Sequence, residues 1–487
     1  MNNLEAVENL VGVESEVHIF FQGDVTEELR SKASCMLMAK LRELFGCERA
    51  SQSATCPNAD ISCGGFHEFL RNGSRIYLDH QYCEYSTQAC KTTAEAVAAI
   101  RAGDAMISKA AEELQRTLGK NITVMVVRNN IDHRGHTFGA HVNIRMSRKG
   151  FEKIFSSDKV LNGFVIPFLV TLSLICGTGR CSSENDEDIF QIWQRSDFLK
   201  EIIGLQTTFD RPLVNTRDES LAADSGKYAR LHVVAFDANR MEVAEFLKLG
   251  LMRLLCASID AGRCELLLEL DDPIAAIRSV SRTPFDPVRL ESNKTISPLE
   301  VLRQYLSLFT KLHEEQVFAG RVPDSGEILE RCNHVLTKLE NDRIKLAGII
   351  DWVTKKILLE QVRHKGFKWS DPEMRVHDIC YHRLTDTDVF NHACDKVTTK
   401  QQVSSFMTKA PDDSRAALRG TLLRRFGKQI MLVNWHYIIN SEGGIAYLLP
   451  DNPKPGSTAV ADKVKTFEEV AETLELVKLD LNAEEEK

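Results

Sequence analysis

The chain has 487 residues, a formal net charge of −8 and 13 cysteines. The length holds one large domain plus a smaller one, and the acidic balance excludes a general nucleic-acid binder, which needs a basic surface. The odd number of scattered cysteines without a Cys-x-x-Cys pair, and a start that lacks a basic region and a long apolar core, predict reduced thiols and a cytoplasmic protein with no secretory signal.

In chain order, residues 11–19 alternate apolar and polar. They predict a strand with Glu14, Glu16 and His18 on one face, looking at solvent or at a metal. Residues 26–45 repeat Leu29, Ala33, Met36, Leu37, Leu41 and Leu44 at helical spacing, with Thr26 as N-cap. The stretch 47–67, rich in Ser, Cys, Asn and Gly with Pro57, predicts a long loop at the rim of a functional site. Cys56 with Cys63, and Cys83 with Cys90, are spaced more loosely than structural zinc sites, which weighs against zinc.

The organising stretch is 69–87. It turns at Asn72-Gly73, a strong hairpin signal because both residues accept positive φ. It then runs as a strand through Ile76, Tyr77 and Leu78. Side chains alternate along a strand, so Arg75, Tyr77 and Asp79 share one face while Ile76 and Leu78 point the other way. With Glu84 close behind, this face offers oxygen ligands for a hard cation and a guanidinium for phosphate. The bland alternative is an edge strand with one solvated face.

A helix follows over 91–119 and a strand over 122–127, ending in Asn129-Asn130-Ile131-Asp132. The next strand carries His141 and Asn143 on one face, where the histidine is either a satisfied core residue or a contact to a ligand or phosphate. The apolar run 164–176 is too short to span a bilayer and contains Pro167, so it reads as buried. Strands end near 212–219 and run over 228–234. Helices are predicted over 242–258, from Ser297-Pro298 with serine as N-cap, over 328–339 and over 346–362. Strands with interleaved helices, then helices, imply an α+β fold with one antiparallel sheet. From about residue 400 the texture changes to a basic helix opening at Ser414-Arg415, a strand over 432–439 and a closing helix over 467–476. The predicted division is 1–400 and 401–487.

Together these stretches resemble the Pup ligase and depupylase family, enzymes with a glutamine-synthetase-like fold. The matching pieces are Gly12 to Glu16, Phe69 to Asp79, Glu84-Tyr85-Ser86-Thr87, Asn129-Asn130 with Asp132, and Pro167-Phe168-Leu169-Val170. They continue with Gly177-Thr178-Gly179, Gln194-Arg195-Ser196-Asp197, Asn215 to Glu219, Arg230-Leu231-His232-Val233, Asp351-Trp352 and Arg415 to Gly420. The resemblance covers nearly the whole chain. It implies an ATP and Mg2+ site on the sheet, with Glu14, Tyr77 and Glu84 as metal ligands and Asp79 as catalytic carboxylate. It also implies nucleotide contacts from Arg75, Thr87, His141, Asn143, Arg217, Arg230, Arg415, Arg419 and Trp435, with the C-terminal domain closing over the nucleotide. The implied partners are a small Pup-like modifier and its lysine-conjugated targets, with no nucleic acid and no membrane.

Two positions depart from the family pattern. His141-Val142-Asn143 stands where the family shows His-Glu-Asn, and Ser220-Leu221-Ala222-Ala223 stands where a histidine follows Thr-Arg-Asp-Glu. The five residues from Asp79 to Glu84, Gln194-Arg195-Ser196-Asp197, Lys368-Trp369-Ser370 and Leu423 to Gly427 lean to the depupylase branch. Leu174 to Gly177 and Asp351-Trp352-Val353 lean to the ligases. The expected reaction is therefore ATP- and Mg2+-dependent hydrolysis at the C-terminal Glu or Gln of the modifier. The alternatives are a ligase working through a γ-glutamyl phosphate, a non-catalytic relative that binds nucleotide or modifier, and a small-molecule carboxylate–amine ligase.

Overall fold

The structure is a computed structural model that describes residues 6–46, 67–79, 82–132, 135–182, 188–206, 210–385, 394–441 and 444–479. The loop expected over 47–67 lies outside these residues apart from the backbone of His67, as do Cys56 and Cys63.

The fold is α+β, built on a nine-stranded sheet. Its centre is β1 (Val11–Gly23), whose buried Val11, Val13 and Val17 alternate with the half-buried Glu14 and Glu16. β1 pairs antiparallel with β4 (Tyr82–Ser86) on one side and β6 (Ala140–Ser147) on the other, and its second half pairs with β5 (Ile122–Val127). β2 (His67–Phe69) and β3 (Arg75–Asp79) extend the sheet beyond β4. Beyond β6 come the strands Tyr228–Val233, Arg211–Asn215 and Leu199–Gly204. The last two run parallel, so the sheet is mixed rather than wholly antiparallel.

The period of two in β1 decides which face is core. Val11, Val13, Val142, Ile144 and Leu231 pack against the helices Ile166–Cys176 and Glu242–Asp260. Ile166–Cys176 is the expected apolar run. With the residues from Asp158 it is long and apolar enough to cross a membrane, but 89% of that stretch is buried inside the fold. Val17, Ile76, Cys83 and Tyr85 pack against the helices Ala33–Phe45 and Thr93–Leu118. Cys83 and Cys90 are buried free thiols. Cys35 is disulfide-bonded, so the expectation of uniformly reduced thiols does not hold there.

Local chemistry sets most helix starts. Thr26 accepts from the Leu29 amide, but the helix predicted over 26–45 breaks at Lys32 into Glu27–Ser31 and Ala33–Phe45. Thr92 and Glu95 form a reciprocal capping box at Thr93–Leu118, satisfying amides that no helical carbonyl reaches. Ser297 caps Pro298–Glu314 and Ser414 caps Arg415–Phe426. The strand expected over 432–439 is a hairpin of Ile430–Val433 and Tyr437–Asn440, because the Asn434 amide donates back to the Tyr437 carbonyl.

Residues from Leu418 onward form their own core with Phe426, Ile438, Tyr447 and Phe467, and Phe69 of β2 joins it. The Asn72-Gly73 turn is the contact point. Gly73 has φ +79°, and a Cβ there would run into the Ala416 carbonyl. Arg419 donates to the Gly73 carbonyl and stacks over Phe69, 4.6 Å from the ring centroid. Gly73→Ala therefore meets both a disfavoured backbone conformation and a backbone clash. It is expected to lower stability by about 1–3 kcal/mol, read as a drop in the midpoint of denaturant unfolding.

Candidate active site

The ladders line up the polar face residue by residue. Glu16 faces Glu84 across β1 and β4, and Glu84 faces Tyr77 across β4 and β3. On the other side Glu14 faces His141, and Asn143 faces His232. Glu14, Tyr77 and Glu84 therefore share one face of the sheet although they are far apart in sequence. Asp79 ends β3, opposite Tyr82.

Two clusters form on this face. The side-chain oxygens of Glu16, Asp79 and Glu84 lie within 4.8 Å of one another, and so do ligand atoms of Glu14, His141 and His232. Glu84 and Asp79 join Glu16, whereas Glu14 turns towards the histidines: His141 Nδ1 lies 3.3 Å from Glu14 Oε2, and His232 Nε2 lies 3.7 Å from the same oxygen. Tyr77 sits between the clusters. Burial, then Glu84 and Glu14, push its phenol well above the ordinary value of 10.0, so it stays neutral.

The electrostatics of the acid trio are adverse. Burial comes first, then Glu14, Glu16 and Asp79, and together they push the Glu84 carboxyl well above its ordinary value of 4.5. Burial likewise raises Glu16, with Asp79 adding to it. Burial would also raise Glu14, but the His141 hydrogen bond and nearby Arg230 outweigh it and hold that carboxyl well below the usual range. Three crowded carboxylates, Glu84 buried and Glu16 and Asp79 half-buried, are the donor set of a hard cation, and they suit Mg2+. His232 adds a second signal. Both its ring nitrogens are buried without a hydrogen bond among the described residues, a costly state unless something binds them.

These shifts fix a pH dependence with a clear sign. Folded-state values raised at Glu84 and Glu16 mean that the stability held below about pH 4.5 is lost as pH rises towards those values. Glu14 runs the other way, contributing above its unfolded value and losing that contribution in acid. Mg2+ held by the ionised trio would offset only the first loss. The rise in Tm produced by Mg2+ is expected to be small near pH 5 and to grow towards about pH 8, measured by thermal unfolding with and without the ion.

Beside the trio opens a cavity of about 220 Å3, between the sheet face and the C-terminal unit. Of the residues singled out from sequence, Glu14, Thr87, Asn143, Arg230, Arg415, Arg419 and Trp435 line it. Arg230 donates to Asn143 Oδ1 at 2.6 Å and to the Glu219 carbonyl at 2.8 Å. Arg415 bonds Asp451 Oδ1 and the Leu221 carbonyl, both at 2.8 Å. Arg419 is buried between Phe69 and Trp435 and donates to the Gly73 and Trp435 carbonyls, so it ties hairpin to helix. Arg75 lies over the Tyr77 ring at 4.9 Å rather than in the cavity lining. Arg217 is about half exposed and pairs with Glu219, also outside the lining.

Three site residues escaped the sequence reading of the site, which already places Glu16 on one face with Glu14, looking at solvent or at a metal. His232 and Arg145 share faces with Arg230 and Asn143 by the same period of two, which could have found them. Asp451 lies in an irregular segment with no local signal. The two departures from the family pattern also separate here. Val142 is fully buried on the core side of β6, so it removes nothing from the polar face. Leu221 lines the cavity, with φ +52°.

Fold and site define a class: a sheet-based protein that gathers crowded carboxylates next to an arginine-lined cavity, suited to a hard cation and a polyanion side by side. The family model of the Pup-ligase protein matches residues 11–439, and the chain belongs to this family. The Pup deamidase/depupylase of Mycobacterium tuberculosis is 33% identical over 458 residues, covering 89% of this chain and 88% of that protein. The solved complex of the prokaryotic ubiquitin-like protein Pup with its ligase PafA is 26% identical, with a TM-score of 0.77 over 96% of this chain and 92% of that one. PafA in complex with ADP is 28% identical, with a TM-score of 0.71 over 84% and 90%. The resemblance carried by the motifs is borne out, and the chain is a member of an enzyme family.

Proposed function

We propose that this chain is an ATP- and Mg2+-dependent hydrolase acting at the C-terminal Glu or Gln of a Pup-like modifier. It would cleave the isopeptide bond to a target lysine or the side-chain amide of a terminal Gln. The observation that carries this reading is the placement of Asp79 with Glu16 and Glu84, on the same face as the arginine-lined cavity. Glu16 and Glu84, with Glu14 and Tyr77 beside them, would hold the metal. When bound, Mg2+ would neutralise the crowded carboxylates and the phosphates.

The remaining chemistry belongs to the chain. Arg145, Arg230 and Arg415 give the cavity its positive charge, matched to a polyphosphate. Trp435 closes it from the C-terminal side, and we propose that the C-terminal unit covers the nucleotide. Asp79 takes a proton from the water that attacks the γ-carbonyl carbon, or attacks that carbon itself to give an acyl–Asp79 anhydride that a water then hydrolyses, restoring the aspartate. The carbon–nitrogen bond breaks, the leaving amine takes up a proton, and a γ-carboxylate remains. A cytoplasmic setting, where Pup-like modifiers and their conjugates would be met, belongs to the same proposal.

The depupylase direction is supported by the spacing from Asp79 to Glu84 and the other motif likenesses. The ligase reading has its own support, since the two solved structures described above are of a ligase. Incubating the protein with a Pup-like modifier ending in Gln, ATP and Mg2+ separates the two. Conversion of the terminal Gln to Glu, followed by mass spectrometry, is expected. Absence of conversion, with conjugation of a Glu-ending modifier to a target lysine, makes the chain a ligase.

A further inference from the structure

Of the three residues that the period of two puts on the polar face of β1, Glu14 and Glu16 enter the reading above and His18 does not. His18 sits among aromatic rings. Its imidazole stacks on Tyr82, with centroids 4.6 Å apart and planes at 28°, and meets Phe138 edge-on at 3.6 Å. Phe138 also meets Tyr82 edge-on at 5.1 Å, and Phe20 stacks on His18 at 5.8 Å. His18 and Phe138 are buried, Tyr82 is half-buried and Phe20 is 41% exposed. His18 Nε2 is buried without a hydrogen bond among the described residues, a costly state that a polar group arriving beside it relieves.

Register fixes where this cluster stands. β1 and β4 pair Glu16 with Glu84 and Val17 with Cys83, so the next pair along the ladder is His18 with Tyr82. β3 and β4 pair Tyr77 with Glu84 and Asp79 with Tyr82. The row Tyr77, Glu84, Glu16 is therefore followed on the same face by the row Asp79, Tyr82, His18. Directly opposed residues have Cβ atoms about 5 Å apart, so the Tyr82 ring is rooted beside Asp79. From there the rings lead through His18 to the exposed Phe20. The cavity lies towards the other end of β1, at Gly12 and Glu14. Burial, then the carboxylates of Asp132 and Glu16, raise the Tyr82 phenol, so the charges that bear on this ring are acidic. Cations nearby have acids of their own: His136 pairs with Asp132 at 2.6 Å, and Glu16 acts on both Arg195 and Arg211.

A γ-linked conjugate brings two things to Asp79: the glutamyl end of the modifier, and the target lysine, a stem of four methylenes ending in the nitrogen of the bond that breaks. A ledge of ring faces beside carboxylates suits such a stem, which is apolar along its length and basic at its tip once released. A terminal Gln offers no stem, because its leaving group is ammonia.

We propose that Tyr82, held by stacking on His18 and Phe138, binds the methylene stem of the target lysine, with Phe20 at the outer end of the same ledge. This deepens the function proposed above and rests on it. Tyr82 is the contact residue, and His18 and Phe138 are positioning residues. The ledge makes the site favour a lysine conjugate over a bare side-chain amide.

The test sets two substrates against three proteins, with ATP and Mg2+ present. Both substrates are the same fluorescent C-terminal modifier peptide, one ending in Glu γ-linked to the lysine of a short peptide and the other ending in Gln. The proteins are wild type, Tyr82→Ala and Tyr82→Phe. Tyr82→Ala is expected to lower kcat/KM for the lysine conjugate about tenfold, mainly through KM, the scale of a few methylenes losing contact with a ring. Release of ammonia from the Gln peptide is expected to change by less than about twofold, since the stem contact is absent there. Tyr82→Phe keeps the ring and is expected to match wild type on both. Equal losses on the two substrates in Tyr82→Ala, no loss on the conjugate, or a loss in Tyr82→Phe as large as in Tyr82→Ala overturns the assignment. If wild type turns over neither substrate, the function proposed above fails. In that case, or if only one is turned over, fluorescence anisotropy of the two peptides decides the ledge. Tighter binding of the lysine conjugate in wild type, lost in Tyr82→Ala and kept in Tyr82→Phe, supports it, and equal or absent binding overturns it.

Discussion

Asp79→Asn is expected to leave the protein folded and able to bind nucleotide, while lowering conjugate turnover by about a hundredfold or more, the usual scale for a lost general base or nucleophile. Asparagine keeps the size of the side chain and removes its negative charge. The cavity that would hold the nucleotide is lined by other residues, so binding has no reason to fail. Folding should not suffer either, because Asp79 sits within reach of Glu16 and Glu84 and its charge adds to their crowding. The plain alternative is a strand-end aspartate that only bonds neighbouring groups, where Asn would be nearly silent. Side-by-side assays of nucleotide binding and conjugate cleavage separate the two, and unchanged turnover removes Asp79 from the mechanism.

Glu84→Gln should have an effect as large on activity and the opposite effect on the metal-free fold. Glu84 is the carboxylate most strongly pushed towards its neutral form, with burial first and Glu14, Glu16 and Asp79 behind it. Removing its charge relieves repulsion in a buried cluster, so the metal-free Tm is expected to hold or rise. The same change would delete a proposed cation ligand, and Mg2+ affinity and Mg2+-dependent turnover should both fall by about a hundredfold or more. Calorimetric titration with Mg2+ and thermal unfolding without it give the two readouts. A variant that loses Tm without metal yet keeps Mg2+ affinity would show that Glu84 only holds Tyr77 in place.

What could be read from the sequence follows the range of the interactions involved. Period-two alternation in 11–19 and 75–79 is local, and it correctly put Glu14 and Glu16 on one face and Arg75, Tyr77 and Asp79 on another strand's matching face. Strand order is not local. Nothing near Glu14 says that His141 and His232 lie beside it while Glu16 meets Glu84, because β-register is set by distant partners. The Asn72-Gly73 hairpin was legible as a turn, but its contact with Ala416 and Arg419 was not, since it joins residues more than three hundred positions apart. Residues 432–439 read as one strand because their β-branched and aromatic content is continuous. The turn at Asn434 depends on one backbone bond that composition does not encode. Val142 shows the reverse case: its departure from the family pattern looked like a lost site group, and strand alternation alone places it in the core.

The central claim is that the acid trio and the adjoining cavity cleave a Pup-like conjugate. Its most direct test is a fluorescent target linked through lysine to a Pup-like modifier, incubated with the full-length protein, ATP and Mg2+. Free modifier and free target should appear with wild type, and their rate should fall about a hundredfold or more with Asp79→Asn. An intact conjugate in the presence of wild type, while unlinked modifier ending in Glu is joined to target lysines under the same conditions, would contradict the hydrolase reading.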